Sequence, residues 1–196
     1  FDLQNVSGGS ASLGSPSQLT LTIQDGVGDH AGDVMITEFM PNPDAVIDSD
    51  GEYVELYNAT TGSISIDGWD IDGDLISGVT IPSRGFVVIC RKDDAATNGG
   101  IQNCADQISL GLTNGSNTVI LSNGGTEVDR IDYDDTNWPD PKGAAVVFTG
   151  TTDNNNGSNW TTATERELGF AQDQSGDDGS PGRNGAGQNL QPSVTL

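Results

Sequence analysis

Val34-Met35-Ile36-Thr37-Glu38-Phe39-Met40-Pro41-Asn42-Pro43 decides how this chain is read. The apolar run from Val34 to Phe39 is short and suits a pleated surface, and two prolines stop it. Glu52-Tyr53-Val54-Glu55-Leu56-Tyr57-Asn58 repeats the signal with alternation, Val54 and Leu56 on one face, Tyr53, Glu55 and Tyr57 on the other. Working toward the C-terminus, Ile64 and Ile66 share a parity that Trp69 and Ile71 break. The slip falls at Gly68, which predicts a bulge or bend there. Further strands are expected over Ile76–Ile81, Phe86–Cys90, Ile108–Leu110, Thr118–Leu121, Val128–Tyr133 and Ala145–Phe148. Pro82-Ser83-Arg84-Gly85, Asn114-Gly115 and Asn123-Gly124-Gly125 supply turns between them. No stretch carries a helical period, so the expectation is all-β, with short strands at the spacing of a sandwich.

Working toward the N-terminus, Asp25 to Asp33 is a Gly/Asp linker in which His30 reads as a lone solvated histidine. Before it, Phe1 and Leu3, then Leu19, Leu21 and Ile23 alternating with polar residues, predict a β-hairpin around a Gly/Ser loop. A lone hairpin is marginal in water and has to dock on something. Past Thr149 apolar residues thin out; Trp160 and Phe170 are expected to tuck onto the sandwich edge, and 186–196 reads as a tail or linker.

The whole composition agrees. The 196 residues include 27 Gly and 29 Asp+Glu against 7 Lys+Arg, a formal charge of −22. Aspartate, a turn former, dominates the acids, while helix formers are scarce. Phosphate-backbone binding needs clustered cations, and only Arg91-Lys92 are adjacent, so neither nucleic acid nor an anionic membrane is an expected partner. No run is long and apolar enough for a membrane helix. A first residue of Phe and no signal peptide suggest an excised or processed piece.

Cys90 and Cys104 flank a polar Gly/Asn-rich stretch and are placed for one loop-closing disulfide, the alternative being two free thiols. A bridge would contribute about 3 kcal/mol in the chain-entropy picture and would imply an oxidising compartment.

Several of these residues together resemble a lamin tail domain of the bacterial, secreted kind. The resemblance runs through Val34 to Pro43, Asp48-Ser49-Asp50-Gly51-Glu52-Tyr53-Val54-Glu55-Leu56-Tyr57-Asn58, Ile66-Asp67-Gly68-Trp69 and Ile81 to Ile89. It ends at Trp160 and Gly179-Ser180-Pro181-Gly182-Arg183-Asn184, so that 33–185 forms the domain. It implies an immunoglobulin-like antiparallel β-sandwich and no enzyme. With almost no basic residues, the nuclear, filament and DNA-binding roles of animal relatives do not transfer. Phe1, Leu3, Asn5, Ser7-Gly8-Gly9, Leu13-Gly14, Thr22-Ile23 and Asp25 resemble the last hairpin of a Calx-beta motif, giving a fragment over 1–25 and a linker over 26–32.

Catalysis needs a nucleophile, base or metal in mutual reach, and His30 stands alone in its linker. Glu38, Glu52 and Glu55 invite a paired-carboxylate reading but, as part of the resemblance, are expected to fix strand ends and turns by hydrogen bonding. Asp48, Asp50 and Glu52 gather three carboxylates after the two prolines. They are either Ca²⁺ ligands, with hard oxygen donors, or turn builders on a charged surface. Asp70-Ile71-Asp72-Gly73-Asp74 and Asp132-Tyr133-Asp134-Asp135 are weaker candidates of the same kind. Trp69, Trp138 and Trp160 with Tyr53, Tyr57 and Tyr133 offer one option for a carbohydrate platform; among them Trp69 is expected in the core and Trp138 is the one expected to be exposed. The expected function is a non-catalytic structural or interaction module of a larger secreted or surface bacterial protein. Its partners would be neighbouring domains of the same polypeptide or an extracellular polymer. The alternative is an accessory binding module attached to an extracellular nuclease or phosphoesterase.

Overall fold

A computed structural model describes residues 30–150, 153–166, 170, 176–185 and 190. The hairpin expected over 1–25 and the first residues of its linker lie outside them. Along the chain come β1 (Val34–Met40), a one-turn helix α1 (Asp48–Gly51), β2 (Tyr53–Asn58), β3 (Ile64–Ser65), β4 (Trp69–Ile71) and β5 (Asp74–Leu75). Then follow β6 (Thr80–Ile81), β7 (Phe86–Cys90), β8 (Cys104–Gln107), β9 (Asn117–Asn123), β10 (Thr126–Tyr133), β11 (Val146–Phe148) and β12 (Trp160–Thr162). They build an immunoglobulin-like sandwich: a six-stranded sheet ordered β12-β11-β1-β2-β7-β8 against a four-stranded sheet ordered β10-β9-β4-β5, with β3 and β6 paired at the side. Pairing is antiparallel except between β7 and β8, which run parallel.

The core between the sheets collects Val34, Ile36, Phe39, Val54, Leu56 and Ile89 from the large sheet and Trp69, Ile71, Val119, Leu121 and Ile131 from the small one. The even-numbered Ile36 and the odd-numbered Phe39 share this face because β1 bulges opposite β2, where the register shifts between Ile36 and Glu38. Glu38 and Met40 therefore turn to the other side, beside Glu55 and Tyr53 of β2.

That other side is not solvent. Met40, Tyr53, Val88, Cys90, Ile101, Ala145, Val147 and Phe170 form a second apolar cluster, buried under the 91–103 loop and the segment following β12. Burial on both faces explains why every residue of β2 is buried, unlike the alternating pattern of a strand with one wet face.

Gly68, at φ +80°, sits where the chain passes from β3 to β4, that is, from one sheet to another; the predicted bend is a crossing. Gly124 and Gly125 take positive φ at the two-residue turn joining β9 to β10. Two strand expectations are corrected. Ile76–Ile81 is no continuous strand: β5 stops at Leu75 and β6 begins at Thr80, with Ile76 and Val79 both buried between them. Ile108–Leu110 is a loop whose Ile108, Leu110 and Leu112 are buried, and the strand there is β8 just upstream. Within 186–196, Leu190 is buried and its carbonyl accepts a 2.7 Å hydrogen bond from the Tyr57 hydroxyl, so at that residue the tail is seated on the domain. His30 is also docked: its ring lies 5.3 Å from that of Trp69, and its Nδ1 is 3.2 Å from Asp33 Oδ2.

Candidate functional site

Glu38, Glu52 and Glu55 are all buried, and each carboxylate is consumed by the chain around it. Glu38 accepts hydrogen bonds from the Tyr53 hydroxyl, from Ser180 N–H at 2.8 Å and from the Ser180 hydroxyl. Glu55 accepts from Thr37 Oγ1 at 2.7 Å and from the N–H groups of Gly182 and Arg183 at 2.8 and 3.1 Å. Three backbone donors of one tight turn thus point at two carboxylates on adjacent strands. Gly179 leads into this turn, and a Cβ there would lie 2.6 Å from the Tyr53 hydroxyl and 2.9 Å from Glu38 Oε1, so only glycine lets the backbone come this close.

Burial pushes the Glu55 carboxyl well above the usual carboxylate range, and the neighbouring Glu38 charge adds to it. Burial likewise raises the Tyr53 phenol, again reinforced by Glu38. Without solvent access for a substrate, this pair is a fastening rather than a catalytic dyad. The expected hydrogen bonding is present, but Glu38 and Glu55 hold a distant turn rather than the ends of their own strands.

The candidate cation ligands are not brought together. Glu52 Oε2 faces Arg91 Nη1 at 2.6 Å and accepts the Leu112 N–H at 3.2 Å. Burial raises its carboxyl, with Arg91 opposing the rise. Asp48 Oδ2 accepts from Asn114 at 3.0 Å, and Asp50 lines an open groove with Asp74 and Arg91. No three His, Cys, Asp or Glu side chains among the described residues are grouped to hold a metal ion. In the two weaker candidates the carboxylates build local structure: Asp70 accepts from Gly73 N–H, Asp72 from Ile120 N–H, and Asp134 from Thr136 and Asn137 N–H.

Cys90 and Cys104 form the disulfide, closing the loop that carries Asn98 and Ile101. Asn98 accepts from the N–H groups of Gly100 and Ile101 and donates to the carbonyls of Lys92 and Ile101, shaping that loop from within. The loop in turn supports the C-terminal segment. Ile101 bridges to Phe170, and Arg166, stacked 4.3 Å over Phe170, donates to Gly99 O.

Trp138 corrects its expectation. It is buried, 5.3 Å from Trp160 and 6.3 Å from Phe39 ring to ring, and offers no platform to a sugar. Trp160 on the edge strand β12 closes the edge as expected, its indole donating to Asn154 O, whereas Phe170 packs on the outer face of the large sheet against Tyr53.

Sequence reasoning missed three residues that fasten the structure. Asp129 of β10 reaches across to β1, accepting Ile36 N–H and Asn154 Nδ2, each at 2.6 Å, while Asn154 Nδ2 also donates to Ile36 O. These side chains satisfy backbone groups of β1 at the bulge, where β11 pairs only with Glu38 and Phe39. Burial raises the Asp129 carboxyl to about 6, with the Ile36 and Asn154 donors opposing. Asp177, buried, accepts the N–H groups of Asp44 and Ala45 and pins the C-terminal segment to the loop after β1. Nothing distinguished these three from the many other Asp and Asn residues of the chain.

The surface offers two open concavities at the α1 end of the sandwich, the first polar and the second mixed. One of about 560 Å³ is lined by Asp50, Asp74, Leu75, Arg91 and Lys92, and another of about 490 Å³ lies between the 42–48 loop and Lys142. Ile47 and Leu75, the two exposed large hydrophobic residues among those described, flank them, each 68% exposed.

Compared with known proteins, residues 29–135 match a family model described as Lamin Tail Domain. The matched stretch contains all three buried glutamates of β1 to β2 and ends before β11, β12 and the turn that caps them. No curated protein and no solved structure matches the chain.

Proposed function

The chain belongs to the lamin tail domain family, a family of non-catalytic immunoglobulin-like modules, and from that premise we propose that it serves as a structural and interaction module of a larger secreted or surface bacterial protein. The observation that carries this reading is the fate of the carboxylates. The glutamates best placed to act as acids or bases are sealed under the chain and spent on backbone N–H groups. The compartment is supported by the Cys90–Cys104 bridge, which persists where the surroundings are oxidising. A charge of −22 keeps such a module soluble and disfavours polyanionic partners.

The path of the chain supports a module hung from its neighbours. Val34 and Met35 pair with Asn58 and Tyr57, and the Tyr57 hydroxyl holds Leu190. The chain therefore comes into β1 and reaches Leu190 at one end of the large sheet. The opposite end, with α1, the disulfide loop and both concavities, is left for contacts with neighbouring domains or an extracellular polymer. A panel of polysaccharides, nucleic acids and cell-envelope fractions, tested with the purified chain and with an Ile47→Asp, Leu75→Asp variant, examines this. Binding abolished by the variant places contacts at the α1 end; hydrolysis of any panel member would overturn the non-catalytic reading.

A further inference from the structure

Glu38 and Glu55 stand directly opposite each other across β1 and β2, and neither is exposed to solvent. Like charges facing each other across strands repel, and a dry surrounding magnifies the repulsion. The flanking strands offer no relief, since Val147 of β11 pairs with Glu38 and Val88 of β7 pairs with Glu55. Tyr53 of β2 donates to Glu38 and stays neutral, its phenol raised by burial. Among the described residues of the C-terminal segment the charged groups are Glu165, Arg166, Asp177, Asp178 and Arg183. Asp177 adds a further negative charge near Tyr53. Arg166 donates to the carbonyls of Asp177 and Gly99. Arg183 serves Glu55 through its backbone N–H.

What covers the pair is small and separately anchored. Asp178 is tied to the 143–145 stretch in both directions, by its N–H to Gly143 and by its carbonyl to Ala145, and Gly179 N–H reaches Glu165. Beyond Gly179 the turn Ser180–Arg183 sends three N–H groups to the two glutamates and closes on itself through Arg183 N–H to Ser180 O. Lifting this turn would hydrate both carboxylates while the strands beneath keep their pairing.

We propose that Glu38 and Glu55 form a proton-operated latch: the turn Ser180–Arg183 stays seated while the pair retains a proton between them and lifts once both carboxylates are ionised. The step is an ionisation: the carboxyl O–H bond breaks, the proton passes to water or buffer, and the two carboxylates, one of them newly charged, become hydrated. Acidification seats the turn and alkalinity frees it, a consequence independent of the function proposed above.

Amide hydrogen exchange of Ser180, Gly182 and Arg183, followed by NMR on the full chain between about pH 6 and 9, tests this. After division by the intrinsic hydroxide-catalysed rate, the opening constant of these three amides rises by up to about tenfold per pH unit, the slope of one linked proton. The opening constant of Val54 N–H in the core serves as the reference and stays level. Glu55→Gln flattens the slope. Glutamine keeps an oxygen for the Gly182 and Arg183 donors and an amide to donate to Thr37. Glu38→Gln, which preserves the same pattern toward Ser180 and Tyr53, does so independently and stands in if the first variant folds poorly. A level opening constant in the natural chain, or an unchanged slope in both variants, would overturn the latch.

Discussion

The two sheets of this sandwich treat the same chemical group in opposite ways. At the centre of the six-stranded sheet, along β2, both faces are dry, and the Glu55 carboxyl is driven up by burial. On the four-stranded sheet the outer face meets water, and Asp132 is held below the usual range by hydrogen bonds from Thr118 and Asn155. In the first setting a carboxylate must find donors or leave the fold unstable; in the second it is one more solvated charge on a soluble surface. A list of acidic residues therefore says little until each is assigned to a face.

The contrast yields expected outcomes that fall in order of size. Glu38→Ala leaves the Tyr53 hydroxyl and two donors of Ser180 without their acceptor in a buried place. Chemical denaturation should show a loss of about 3–5 kcal/mol. Reduction of the Cys90–Cys104 bridge comes next, at about 3 kcal/mol, and thermal melting with and without reductant would read it.

Asp129→Asn works through pH. Because the folded carboxyl titrates near 6, above its ordinary 3.8, the folded state holds the proton more tightly than the unfolded chain does. This group's contribution to stability is therefore greatest at low pH and declines as pH rises from about 4 to about 6. The substitution should flatten that decline and relieve on the order of 2–3 kcal/mol of desolvation penalty at neutral pH, offset by whatever the altered hydrogen bond to Ile36 costs. Denaturation midpoints of both proteins across that range would show it; parallel curves would mean the Asp129 carboxyl is not buried as described.

Asp74→Asn, on the wet sheet, should shift stability by no more than about 0.5 kcal/mol. A chelator should leave the melting midpoint where it is, since Glu52 is committed to Arg91 and does not join Asp48 and Asp50. A drop on chelation would support the calcium reading of those three residues.

How much of this was legible in the sequence follows the same division. The long strands β1, β2, β7, β9 and β10 announced themselves because apolar residues recur on a face that needs them. Ile108, Leu110 and Leu112 imitate that signal, yet they are plugs on a loop, and alternation alone does not tell a strand from a chain weaving over a core. Conversely β8, Cys-Ala-Asp-Gln at 104–107, carries no apolar pattern; it runs parallel to β7, joined to it by the disulfide. Strand β12 is three residues long and too short to show a period. Trp138 looked exposed because its surroundings in sequence are polar, whereas in space the rings of Phe39 on β1 and Trp160 on β12 lie against it. The glutamates were identifiable as fasteners, but their partners lie 127 and 142 residues away, beyond any local pattern.

The most direct test of the sealed-carboxylate account is a ¹³C NMR titration of the glutamate side-chain carboxyls. The account predicts that Glu55 remains protonated well above 4.5, after the surface aspartates have ionised, and shows no sign of a solvent-exposed group. Titration of both Glu38 and Glu55 at the ordinary carboxylate value, in step with the surface acids, would contradict it.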